Sequence, residues 1–202
     1  MCIRDRFKKI VFISLFFLLS SCSNSQDYKF NGSDMTSYDL DPSFELTSHK
    51  GDLKTVGDFK GYVVALFFGF THCPDVCPTS MQELKLIKKN LGQQGKDFQV
   101  LFVTLDPERD SQSLLKQYVP SFDASFIGLT GTKDQIEKIA QQYKIFHQKV
   151  GDGKSYTIDH SSAIYLLDKD GMIRVRYPYG SSVKGMIEAV SYTHLTLPTT
   201  DR

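Results

Sequence analysis

The sequence predicts one α/β domain, a central mixed β-sheet flanked by helices and ending in a C-terminal antiparallel hairpin. Three observations predict it. Residues 62–70 (YVVALFFGF) form an unbroken apolar run, as a strand buried on both faces requires. From Pro42 onward, short β-rich runs alternate with amphipathic stretches, the pattern of strands joined by helical crossovers. The last two β-rich runs are linked by Asp168-Lys169-Asp170-Gly171, turn-forming residues that bring consecutive strands back antiparallel.

Taken in order, 44–46 and 51–53 read as an edge hairpin, and 62–70 is the central strand. A helix over 78–91 follows: Met81, Leu84, Ile87 and Leu91 recur at helical spacing, Lys85 and Lys89 lie outside, and Pro78 suits a first turn. Residues 98–105 (FQVLFVTL) predict a second buried strand, 111–119 a helix and 126–129 a short strand. A helix over 133–143 turns Ile136, Ile139 and Ala140 inward. Strand-helix-strand order implies parallel pairing, while 162–167 and 173–177 make the final hairpin and 184–190 begins the last helix. Parallel strands first and a hairpin last is the order of a thioredoxin-like domain. Its active loop is expected between the central strand and the helix that follows.

Length and charge narrow the function. With 202 residues and 41% hydrophobic content, the chain holds one domain and a tail. Its 24 basic residues against 23 acidic ones, with no basic stripe, disfavour nucleic-acid binding. The longest apolar run, 10–19, is shorter than the roughly 18–20 residues of a spanning helix. Lys8 and Lys9 precede that run and small residues follow, the layout of a secretory signal over 1–22. Leu19-Ser20-Ser21-Cys22 resembles a lipobox, which predicts lipidation of Cys22 and an exported, membrane-anchored lipoprotein of the bacterial envelope facing the periplasm. Residues 23–41 are polar and aperiodic, as expected of a flexible tether. Residues 1–6 and 191–202 resemble translated adapter read-through, so the domain is expected to span 42–190.

The chemistry concentrates in Thr71-His72-Cys73-Pro74-Asp75-Val76-Cys77-Pro78, between the central strand and its helix. A helix N-terminus stabilises thiolates. Spacing of four puts both sulfurs on one side of a helical turn, where they can share a soft metal or close a disulfide. A closed zinc site wants four Cys or His ligands, whereas Cu(I) accepts two thiolates and one imidazole. Among the histidines, His72 should point away along the strand end, and His49 and His147 read as surface residues. His160 is the candidate third ligand, because it precedes the strand expected beside the active loop, and Asp159 is expected to orient its imidazole.

At these residues the sequence resembles the Sco (SenC) family, copper chaperones for the CuA site of cytochrome c oxidase. The resemblance rests on FFGFTHCPDVCPTSMQEL, VTLDPERDS, FIGLTGTKDQIEKIAQQYKIF and DHSSAIYLLDKDGMI, in the family's order. It implies a thioredoxin-like fold and copper ligands at Cys73, Cys77 and His160. It also implies the copper-site subunit of the oxidase and other periplasmic copper carriers as partners. Asp106, Pro107, Glu108, Arg109 and Asp110 match its DPERD segment, where helix capping by Asp110 and a surface ion pair by Arg109 are expected. An alternative activity is thiol-disulfide exchange at Cys73 and Cys77, keeping the oxidase copper-site cysteines reduced. No Thr or Arg is placed by motif around a lone cysteine as a peroxidase would need.

Overall fold

A computed structural model describes residues 30–153 and 155–196. The continuous apolar run becomes β4 (Val63–Gly69), every residue of which is buried. Its alternating side chains feed two cores, one on each face of the sheet. Val63, Ala65 and Phe67 pack with Met81, Leu84 and Ile87 of helix α1 (Val76–Asn90). Val64, Leu66 and Phe68 pack with Ile136 and Ile139 of α3 (Lys133–Gln142) on the other face.

The sheet has eight strands in the order β1-β10-β9-β4-β5-β6-β2-β3. β4 pairs in parallel with β5 (Phe98–Thr104), and β5 with β6 (Ile127–Thr130), because α1 and α2 (Gln112–Tyr118) carry the chain back over one face between them. On the other side β4 pairs antiparallel with β9 (Ala163–Leu167), which forms the expected hairpin with β10 (Ile173–Pro178). The edge hairpin of β2 (Glu45–Ser48) and β3 (Leu53–Thr55) docks antiparallel on β6. The sheet is therefore mixed, as the sequence predicts.

Three segments depart from the expected outline. β1 (Ser33–Asp34) pairs with β10 inside the stretch expected to be a tether. Gly32 makes that approach possible, since a Cβ there would fall 2.7 Å from Val175 and 2.8 Å from Tyr177. The last helix, α4 (Val183–Thr196), runs on past Val190. Thr193 is buried against the Ala189 carbonyl, and Tyr192 meets Phe30 edge-to-face at 6.0 Å. Finally, β7 (His147–Val150) and β8 (Thr157–His160) form a separate two-stranded hairpin that the sequence reading missed. β7 is polar and exposed over most of its length, so it carries no apolar alternation to read. The signal and lipobox, Cys22 included, and 197–202 lie outside the described residues. Among the described residues no helix is long and apolar enough to cross a membrane.

Candidate metal centre

β4 stops at Gly69, and the chain turns through Cys73 into α1, of which Cys77 is the second residue. The Asp110 carboxylate holds the start of that turn. It accepts the Thr71 N–H at 2.9 Å, the Thr71 hydroxyl at 2.5 Å and the Thr104 hydroxyl at 2.6 Å. The first turn of α1 then brings the sulfurs together, with the Cys77 N–H donating to Cys73 Sγ at 3.4 Å. Cys77 is buried, Cys73 is half-buried, and both are free thiols. At Gly69 the backbone passes so close that a Cβ would stand 2.9 Å from Cys77 Sγ.

The third donor comes from the hairpin. His160 ends β8 and places Nε2 3.8 Å from Cys77 Sγ. Its Nδ1 lies 3.1 Å from the Ser161 carbonyl, which can only accept, so Nδ1 carries the proton and the Nε2 lone pair faces the sulfurs. Phe70 meets the imidazole edge-to-face at 5.8 Å and walls the centre on its inner side. The two sulfurs and one imidazole nitrogen all lie within 4.8 Å of one another. Two thiols and an imidazole suit a soft ion in three-coordination and fall one ligand short of a closed zinc site.

The two thiols are not equivalent. Hydrogen bonding from the Cys77 side chain, aided by the Cys77 and Asp75 N–H groups, brings the Cys73 thiol down to about 5 against the effect of burial. The same hydrogen bond, with burial, pushes the Cys77 thiol up. At neutral pH one proton is thus held between a thiolate at Cys73 and a thiol at Cys77.

The structure brings together Cys73, Cys77 and His160, and it corrects five other expectations. Asp159 does not orient the imidazole: strand alternation turns it outward, exposed, and the Ser161 carbonyl takes that role. His49 is not a surface residue; it is 2% exposed, and its Nδ1 accepts the Gly128 N–H at 2.9 Å. His147 is likewise largely covered, 3.4 Å from Glu137 and directly across the hairpin from His160. Asp110 is not a cap, since Ser111 caps α2 by accepting from Leu114 N–H, and Arg109 pairs with a fully buried carboxylate, Asp106. His72 keeps away from the centre as expected, beside Thr71 and Asp110. Sequence reasoning missed Phe70, Ser161 and Tyr156. A signal for the acidic pair existed in Thr104, Asp106 and Asp110, polar residues crowded at the C-terminal end of a buried strand.

A dithiol at the head of the first helix, faced by a hairpin histidine in a thioredoxin-like sheet, defines a class of soft-metal or redox centres rather than a hydrolase site. Within that class the chain belongs to the SCO1/SenC family, whose sequence model matches residues 33–194. The SCO2-like protein of Rickettsia prowazekii is 37% identical over 148 residues, covering 72% of each chain. The structure of Bradyrhizobium japonicum ScoI with copper bound superposes with a TM-score of 0.69 at 34% identity, over 75% of this chain and 97% of that one. Yeast Sco1 with copper bound gives a TM-score of 0.70 at 31% identity, over 78% and 90%.

Proposed function

We propose that this protein is a copper metallochaperone that holds one copper ion at Cys73, Cys77 and His160 and hands it to the CuA site of cytochrome c oxidase. The observation that carries this reading is the convergence of three soft or borderline donors within 4.8 Å. Copper in the solved structures of ScoI and Sco1 relatives supports it. Cu(I) needs deprotonated sulfurs, so loading displaces the proton held at Cys77 while Cys73 already offers a thiolate. Cys73 is half-buried where Cys77 is buried, so it is the more accessible of the two sulfurs. An acceptor thiolate would therefore enter on its side and take the ion by stepwise ligand exchange. The partners are the copper-site subunit of the oxidase and, for loading, other periplasmic copper carriers. The lipobox-like Leu19-Ser20-Ser21-Cys22 supports an exported protein anchored through lipidated Cys22 to the envelope membrane.

Anaerobic titration with Cu(I) against a colorimetric chelator tests the reading. One copper per chain, lost in Cys73→Ser and Cys77→Ser and held measurably more weakly in His160→Ala, is the expected result. A folded, reduced protein that cannot compete for copper would refute it.

The low Cys73 thiol favours a second activity at the same residues. Its thiolate attacks one sulfur of a partner disulfide, forming a mixed disulfide and releasing the other sulfur as a thiolate, which takes a proton. Cys77, giving up its proton, then attacks Cys73 Sγ; the Cys73–Cys77 disulfide forms and the partner leaves reduced. His160→Ala separates the two activities, since it removes a copper ligand and leaves both thiols in place.

A further inference from the structure

The histidine hairpin is not part of the main sheet: β7 and β8 pair only with each other. The main sheet resumes only at β9, three residues after His160, so it anchors one end of the hairpin, and the approach of the rest of it to the cysteine loop depends on side-chain contacts. They come from the short turn after β5, residues 106–110, which reaches both halves of the centre. In one direction Asp110 grips Thr71, two residues before Cys73. In the other, everything converges on Tyr156, four residues before His160. The Tyr156 hydroxyl donates to Asp106 at 2.7 Å, and Arg109 Nη1 donates to the Tyr156 carbonyl at 2.8 Å. The guanidinium lies 3.5 Å from the centroid of the Tyr156 ring while its Nε binds Asp106. Lys149 of β7 sits 4.5 Å from the same ring and donates to Glu108 at 2.6 Å, so both strands of the hairpin are tied to one turn. Asp106 has no exposed side-chain surface, and Arg109 has 18%.

We propose that Arg109 and Tyr156 are positioning residues for the copper centre, clamping the His160 hairpin onto the 106–110 turn while Asp110 fixes the cysteine loop to the same turn. The clamp rests on the copper reading above and adds to it the device that sets the distance between imidazole and sulfurs. Neither residue touches the ion. With the clamp released, the dithiol remains intact and the histidine is no longer held beside it.

The test is a double-mutant comparison of Cu(I) affinity by chelator competition in the wild type, Arg109→Ala, His160→Ala and the double variant. Arg109→Ala is expected to weaken binding by about 10- to 100-fold, as loss of a ligand-orienting group does. Where His160 is already absent, adding Arg109→Ala is expected to change affinity less than about twofold, a result that a general loss of fold would not produce. In the Cu(II)-loaded protein, Arg109→Ala should lose the imidazole nitrogen coupling in pulsed EPR and keep the thiolate charge-transfer band. Tyr156→Phe keeps the ring under the guanidinium and deletes only the phenol bond to Asp106, so it serves should Arg109→Ala not fold, with a smaller loss in the same direction. Unchanged affinity in the folded variants, or an equal loss with and without His160, overturns the clamp. A wild type whose copper binding ignores His160→Ala overturns the copper assignment itself, and the single variants show that first.

Discussion

Gly69 shows how closely one residue can be tied to the chemistry. It ends β4 in an ordinary extended conformation, yet a Cβ there would lie 2.9 Å from Cys77 Sγ and 3.0 Å from the Phe102 ring. Gly69→Ala must push the sulfur or the ring aside, because a close-packed interior has no slack. The variant is expected to lose about 1–3 kcal/mol of stability by overpacking and to bind Cu(I) roughly tenfold more weakly. Urea unfolding with chelator competition checks both, and wild-type affinity in a folded variant would refute the crowding argument. His49 makes a different prediction. Burial, with Lys50 and Lys116, holds its imidazole below the usual 6.5, against a weaker pull from Asp52. The unfolded chain therefore binds the proton more readily, so stability falls as pH drops below about 6.5 and levels off only below the folded value. His49→Gln keeps an acceptor for the Gly128 N–H and should flatten that slope; a urea midpoint that falls equally between about pH 7 and about pH 5 in both proteins would refute it. At this scale the sequence was legible where spacing alone decides. Cys73 and Cys77 show themselves by their separation and by the helix that follows. The choice between Asp159 and Ser161 as partner of the imidazole depends on strand phase in a hairpin with no hydrophobic alternation. The burial of His49 depends on contacts with Gly128, far along the chain, that no local pattern records.

The elements divide along the same physical line. β4, β5, α1 and α3 were readable because each must bury an apolar face or run, and burial leaves a period in the sequence. The start of α3 carries a further local signal that the helical spacing over 133–143 does not use. Thr132 accepts the Gln135 N–H and the Gln135 side chain returns to the Thr132 N–H at 2.8 Å, a reciprocal cap written as Thr-x-x-Gln. Thr132→Ala should cost about 1 kcal/mol in urea unfolding. Copper affinity should stay at the wild-type value, because α3 packs on the sheet face opposite α1; a loss of affinity would contradict that separation. The β7–β8 hairpin was illegible because its stability comes from charge and stacking at Tyr156 rather than from an apolar stripe. Such contacts leave no periodic trace, and the functional histidine sits on the element the sequence hides best.

Across the whole molecule, the centre joins parts of the chain that are remote in sequence. Cys77 and His160 are 83 residues apart. One belongs to α1 on the main sheet, and the other to a hairpin outside it. An ion that binds both exists only on the folded chain, so occupancy adds directly to global stability, by about 2.7 kcal/mol when free copper stands at 100 times Kd. For a chain of this size each kcal/mol corresponds to roughly 2–4 °C in Tm. Anaerobic Cu(I) at that excess should therefore raise Tm by about 5–10 °C, and a chelator should reverse the shift. Cys77→Ser should show no shift, since it removes a sulfur that lies within 4.8 Å of both other donors. A copper-independent Tm in a protein shown to hold one ion would mean that the ion binds the unfolded thiols as strongly as the native centre. Preorganisation by the 106–110 turn would then contribute nothing to affinity, so thermal shift and double-mutant comparison test one physical claim by independent routes.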